Sequence, residues 1–187
     1  MLHYVDIRLL PDPEFPEHLL MGALFTKLHR LLVEVQACTI GVSFPGYRET
    51  PPTLGNTLRL LGPEPDLTRL MENPWLKGMR DHTEVKPIAP IPANAAHRPL
   101  RRIQVKSSPD RLRRRQMRRH GLTEQQALDR IPNDKGARVR IPFVTLSSTS
   151  TGQRFPLFLE LGPPISATEK WSFNTYGLSN STPVPWF

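Results

Sequence analysis

The sequence predicts an α+β fold in two parts, a core-forming first half and a strongly basic second half. Three observations carry this. Across the first 90 residues, apolar side chains recur at strand spacing in some segments and at helical spacing in others. Charge is divided along the chain: residues 1–94 hold 9 Lys/Arg against 11 Asp/Glu, and residues 95–187 hold 16 against 6. Proline accounts for 21 of 187 residues, about twice the usual ~5%. That favours short elements with rigid connections over a helix bundle.

The elements follow in order. In His3-Tyr4-Val5-Asp6-Ile7-Arg8-Leu9, Val5, Ile7 and Leu9 share one face and Asp6 and Arg8 the other, which predicts a half-buried strand. Pro11 and Pro13 end it. Pro16 suits the first turn of a helix, with Glu14 and Glu17 near its positive end. Leu20, Leu24, Leu28, Leu31 and Val35 continue it as one apolar stripe. Strands are expected at Ile40–Phe44 and Thr57–Leu61. Asp66 can cap a helix carrying Leu67, Leu70 and Met71, interrupted by Pro74. Thr83–Ile88 is a weaker last strand. The order β-α-β-β-α-β is that of a ferredoxin-like (RRM-like) domain over residues 1–90. Residues 87–97 are rich in Pro and Ala and read as an extended linker, which with a basic extended stretch forms the segment 91–106. Residues 107–187 read as a C-terminal domain. Its helix Asp110–His120 ends at Gly121. Thr123 and Gln126 form a capping box for a second short helix, stopped by Pro132. Phe143–Ser148, Phe155–Leu161 and Ser172–Tyr176 are expected to build a small antiparallel sheet.

Composition narrows the function. Hydrophobic residues make up 38% of the chain and charged residues 22%, enough apolar material for a core. No run of 18 apolar residues could span a membrane, and no secretory signal is expected. Cys38 is the single cysteine, which excludes an internal disulfide framework or a thiolate zinc site and predicts a reducing, cytoplasmic setting. There is no phosphate loop, no His/Cys metal pattern and no evident carboxylate cluster, so no cofactor or metal is expected.

The strongest local signal is Arg-Leu-Arg-Arg-Arg-Gln-Met-Arg-Arg at 111–119, with Arg111, Arg113, Arg114, Arg115, Arg118 and Arg119. Only Leu112 and Met117 are apolar there, too few for an apolar stripe. Six guanidinium groups repel one another without an anionic partner, and their planar donors suit phosphates and guanine edges. A solvated basic face is the plainer explanation. The density of charge favours a nucleic acid, and the lack of a Trp, Phe or Leu face disfavours a membrane. Upstream, Arg102 and Gln104 alternate with Ile103 and Val105, so in an extended strand they point to one side. Arg matches guanine O6 and N7, Gln adenine N6 and N7; surface exposure alone explains them equally well. His29 flanks the apolar stripe of its helix. It suits proton transfer near neutral pH, although most histidines so placed are simply solvated. Ser147, Ser148, Thr149, Ser150 and Thr151 cluster in one turn, and Tyr176 precedes Gly177; turn and core roles would account for these too.

Several motifs occur together in order: His-Tyr-x-Asp-Ile-Arg-Leu at 3–9, Pro-Asp-Pro-Glu-Phe-Pro at 11–16, Lys-Leu-His at 27–29 and Gly-Val-Ser-Phe-Pro at 41–45. They continue with Arg-Leu-Arg-Arg-Arg-x-Met-Arg-Arg-His at 111–120, Pro-Phe-Val-Thr-Leu at 142–146, Ser-Thr-Gly-Gln at 150–153, Tyr-Gly-Leu-Ser at 176–179 and Val-Pro-Trp-Phe at 184–187. With these motifs the chain resembles the CRISPR precursor-RNA endoribonucleases of type I-F systems, the repeat-processing nucleases of the Csy complex.

The resemblance implies an activity and a set of roles. A repeat stem-loop would be cut at its 3′ base without metal, by attack of a ribose 2′-oxygen on the adjacent phosphorus. The products would be a 2′,3′-cyclic phosphate and a 5′-hydroxyl, with the protein staying on the mature guide RNA. His29 matches the proton-transfer histidine, Ser148 the serine that holds the attacking 2′-hydroxyl, and Tyr176 the tyrosine that orients the histidine. Arg102 and Gln104 match the base-reading pair at the stem foot. The helix with Arg111, Arg114, Arg115, Arg118 and Arg119 matches the one laid along the stem's major groove. Phe155 matches an aromatic under the terminal base pair, and Ser150 and Thr151 match contacts near the scissile phosphate. An A-form major groove is too narrow for side chains except where it opens at a stem end, which confines base reading to the foot. The implied partners are the repeat hairpin and the other subunits of a type I-F surveillance complex, the protein itself being a monomer. A non-catalytic hairpin-binding subunit with an incidental His29 and a basic DNA-binding protein are the competing readings.

Overall fold

A computed structural model describes residues 1–104, 109–131, 140–147, 152–168 and 170–187. It is a mixed α/β structure with several small antiparallel sheets and four α-helices among the described residues. Residues 1–103 and 141–187 form one compact unit, and Gln104–Arg140 a second.

In the first unit, strand β1 (Leu2–Leu9) leads to helix α1 (Glu17–Glu34) and strand β2 (Gly41–Ser43). A small hairpin of β3 (Arg48–Glu49) and β4 (Pro52–Thr53) precedes β5 (Thr57–Pro63) and helix α2 (Glu64–Glu72). Strand β6 (Thr83–Val85) and the short β7 (Ala89–Pro90) follow. The main sheet runs β2-β5-β1-β6 with every pairing antiparallel, and β7 also pairs with β1. Val5, Ile7 and Leu9 are buried as their alternation requires, and Val5 and Ile7 lie opposite Leu60 and Leu58. They share a core with Leu20, Leu24, Leu28 and Leu31 of α1. Val35 departs from the expected stripe: it is the residue that closes the helix, and it is 44% exposed.

The opposite face of β1 and β5 carries a charged pair. Arg59 donates from Nε to Asp6 Oδ1 at 2.7 Å and from Nη2 to Asp6 Oδ2 at 2.8 Å. Its guanidinium carbon lies 4.6 and 3.9 Å from the ring centroids of Tyr4 and Phe187, which themselves meet edge to face, and it donates to the backbone oxygen of Phe187 at 2.7 Å. A planar guanidinium suits this because it can hydrogen-bond in its plane while it packs against aromatic rings.

Four local expectations need correction. Asp66 does not cap α2; the helix begins earlier, after Pro63, and the Asp66 carboxylate accepts from Thr39 Oγ1 at 2.6 Å. The strand expected at 83–88 ends at Val85. Residues 87–97 are no free linker: Ala89–Pro90 pairs with β1, and β8 (Ala96–Arg98) pairs with β12 (Val184–Trp186). Proline there withholds donors, but the remaining amides bond, as Ile91 N does to Leu2 O at 3.2 Å. Finally, Ser172–Tyr176 is not a strand. The small sheet is β10 (Phe143–Ser147), β11 (Arg154–Leu161) and β9 (Leu100–Ile103), in the order β10-β11-β9. Residues 172–178 instead follow β2 through single bonds, Phe173 N to Cys38 O and Val42 N to Gly177 O, both 2.9 Å. The small sheet also belongs to the first unit rather than to a separate C-terminal domain, because Val144, Leu146, Leu157, Leu159 and Leu161 share the core of α1 and β1.

The second unit contains α3 (Pro109–His120) and α4 (Glu124–Arg130). Gly121, at φ +62°, ends α3 in a conformation that favours glycine. The expected capping box is present: Thr123 Oγ1 accepts from Gln126 N at 3.3 Å, and Thr123 N donates to Gln126 Oε1 at 3.0 Å. Ala127 is fully buried, and Arg113 Nε donates to Ile131 O at 2.8 Å. Among the described residues no helix is long and apolar enough to cross a membrane.

Candidate active site and nucleic-acid interface

His29 lies on the flank of α1, half-buried, between the buried Leu28 and the exposed Arg30. Its Nδ1 is 2.8 Å from the backbone carbonyl oxygen of Thr175. A carbonyl can only accept, so Nδ1 carries the proton. In the neutral ring Nε2 then holds a free lone pair, the arrangement a general base needs. The Tyr176 ring stacks flat on the imidazole, with centroids 4.0 Å apart and planes 5° from parallel. On β9, Arg102 is exposed, and its guanidinium carbon is 6.0 Å from the Tyr176 ring centroid. Residues 29, 102 and 176, far apart in the chain, are thus brought together within one unit.

The turn at 174–178 builds this group. Gly177 N donates to Asn174 O at 2.8 Å, and Asn174 N to Leu178 O at 2.9 Å. Gly177 has φ +67°, and a Cβ there would lie 2.6 Å from Val42 Cγ1. Both the backbone conformation and the close approach to β2 therefore call for glycine.

The remaining expected residues fall elsewhere. Phe155 on β11 is half-buried and packs against the core, opposite Leu146. Gln104 is exposed and follows the last residue of β9, so the strand that was to align it with Arg102 stops at Ile103. Ser148, Ser150 and Thr151 lie outside the described residues, as does the side chain of Arg111. On α3, Arg114, Arg115, Arg118 and Arg119 are exposed, while Leu112, Arg113, Gln116 and Met117 are half-buried. The exposed four stand at i, i+1, i+4 and i+5, which gathers them on one face. Arg115, Arg118 and Arg119 have no ion pair with any described residue. The helix therefore presents a concentrated positive surface suited to phosphates.

Sequence reasoning missed Thr175, whose contribution is a backbone carbonyl and carries no side-chain signal. It also missed Asn174, although Asn followed three residues later by Gly is a turn signal that could have located the bend.

The sequence model of the family described as "CRISPR-associated protein (Cas_Csy4)" matches residues 4–187. The chain belongs to this family. It is 49% identical over 187 residues to the protein named "CRISPR-associated endonuclease Cas6/Csy4" of Pseudomonas aeruginosa (strain UCBPP-PA14), covering all of both chains. It is 42% identical, again over the full length of both, to the protein of the same name from Escherichia coli (strain UTI89 / UPEC). The resemblance to type I-F repeat-processing nucleases therefore extends from the quoted motifs to the whole chain.

Proposed function

We propose that this Cas_Csy4 family protein cleaves precursor CRISPR RNA at the 3′ base of the repeat stem-loop and then stays on the mature guide RNA. Family membership makes the chain a CRISPR-associated endonuclease; the substrate, the bond cut and the retention of product are the proposal. The observation that carries it is the Nδ1 bond from His29 to Thr175 O, which leaves Nε2 as a base beside Tyr176 and Arg102.

In this mechanism His29 Nε2 takes the proton of the ribose 2′-hydroxyl, the 2′-oxygen bonds to the adjacent phosphorus, and the bond from phosphorus to the 5′-oxygen breaks. The displacement leaves the 2′,3′-cyclic phosphate, and the departing 5′-oxygen takes up a proton from water to become the 5′-hydroxyl. Rate comes from alignment and proton transfer, without a metal. Ser148 holds the 2′-hydroxyl, and Ser150 and Thr151 contact the scissile phosphate. Arg102 and Gln104 read bases at the stem foot, Phe155 stacks under the last pair, and Arg114, Arg115, Arg118 and Arg119, with Arg111, bind the stem. The antiparallel order β2-β5-β1-β6, with a helix after β1 and another after β5, supports the ferredoxin-like reading of the first 90 residues. The other partners are subunits of a type I-F complex in the cytoplasm.

The test is incubation with a repeat hairpin in excess chelator. Cutting is expected to continue and to leave a cyclic phosphate. A 2′-deoxy nucleotide before the scissile bond is expected to stop cutting and spare binding. Loss of activity on chelation, restored by magnesium, refutes the mechanism.

A further inference from the structure

We propose that Asn174 is a positioning residue for His29, holding through its side chain the turn that aligns the imidazole. The inference rests on the reading of His29 as the proton-transfer group. Both contacts that fix the ring come from one turn: Thr175 supplies the carbonyl that accepts from Nδ1, and Tyr176 supplies the stacked ring. These residues lie in no helix or strand that would hold them.

What holds them is Asn174. Its Oδ1 accepts from Tyr176 N at 2.8 Å and from Leu178 N at 3.3 Å, so one side-chain oxygen spans the turn. Two amide donors converge on that atom, which fixes it as the carbonyl oxygen of the side chain rather than the NH₂ group. The backbone closes the same loop, through Asn174 N to Leu178 O and Gly177 N to Asn174 O. Gly177 O in turn accepts from Val42 N, tying the turn to β2. A chain of bonds thus runs from the main sheet, through the turn, to His29 Nδ1.

Asn174 is itself exposed and has no ring contact with His29 or Tyr176 among the described interactions. Its effect on the chemistry is therefore indirect. Without Oδ1, Tyr176 N and Leu178 N lose their acceptor, and the turn is free to rotate Thr175 O and the Tyr176 ring away. His29 then loses the partner that keeps its proton on Nδ1, and the fraction of rings with a free Nε2 falls. Small misplacements of a reacting group are sufficient for large rate losses.

The experiment compares Asn174→Ala, Asn174→Asp and Ser179→Ala in the full chain. Asp keeps an acceptor oxygen in the same place. Ser179 holds the next turn, accepting from Thr182 N at 3.0 Å and from Ser181 N at 3.3 Å, and has no hydrogen bond with Thr175 or Tyr176 among the described interactions. Asn174→Ala is expected to lower the single-turnover cleavage of a repeat hairpin by roughly 10- to 100-fold, with hairpin affinity unchanged. Heteronuclear NMR of the His29 ring nitrogens is expected to show the proton shifting from Nδ1 toward Nε2. Asn174→Asp should restore both rate and ring state, and Ser179→Ala should leave both as in the parent. A parental rate in Asn174→Ala, or a rate loss with the His29 nitrogens unchanged, overturns the proposal. If His29→Ala cuts as well as the parent, the catalytic reading fails instead. The ring-nitrogen shift then decides alone whether Asn174 orients His29.

Discussion

Replacing Arg115 and Arg119 together by Ala removes two of the four exposed arginines on one face of α3. They stand one turn apart and have no ion pair with a described residue, so the change removes positive charge without breaking an ion pair among the described residues. Each phosphate neutralised steepens the slope of log affinity against log salt by about 0.7 for single strands and about 0.9 for duplex. The double variant should therefore show a slope shallower by about 1.4–1.8 if both side chains sit on phosphates. From about 50 to 200 mM salt that difference makes the parent lose about 7- to 12-fold more affinity than the variant. The assay is hairpin binding at several salt concentrations, with Gln116→Ala on the half-buried side of α3 as control. That control should keep the parental slope. An unchanged slope in the double variant would show that this face does not engage the phosphates.

Two further outcomes follow from the fold. Asp6→Ala leaves the Arg59 guanidinium, 9% exposed, without its carboxylate; about 3–5 kcal/mol should be lost, which at roughly 2–4 °C per kcal/mol lowers Tm by roughly 6–20 °C in thermal unfolding. The backbone amides of Phe15 and then Glu14, with a smaller contribution from His82, hold the Asp12 carboxyl below its ordinary value of 3.8. Its contribution to stability is thus complete above that value and is lost as pH falls through the lowered one. Unfolding curves of the parent and Asp12→Asn should differ at neutral pH and converge in acid; curves that run parallel throughout would show that Asp12 contributes no proton linkage.

Much of the framework was legible because period and capping act locally. The alternation of Val5, Ile7 and Leu9 and the stripe from Leu20 to Leu31 each fix a buried face without knowledge of the partner. Thr123 and Gln126 form their capping box within four residues. The failures are tertiary. Ser172–Tyr176 has strand composition, yet its amides bond singly to Cys38 and to the turn rather than to a ladder. The proline-rich 87–97 segment reads as a linker by composition, but two sheets recruit its few free amides. His29 and Tyr176 are candidates through the motifs around them, and the structure stacks their rings. That Thr175 O fixes the imidazole was not, because a carbonyl has no residue identity and the contact spans 146 positions.

The most direct test of the account is His29→Ala assayed at single turnover on a repeat hairpin, with affinity for the same hairpin measured alongside. His29 lies in the first unit, whereas the arginine face is in the second, so the account predicts that cutting is abolished and affinity is unchanged. Cutting that persists in the variant, or affinity that collapses with it, would contradict the assignment of His29 as the group that moves the proton.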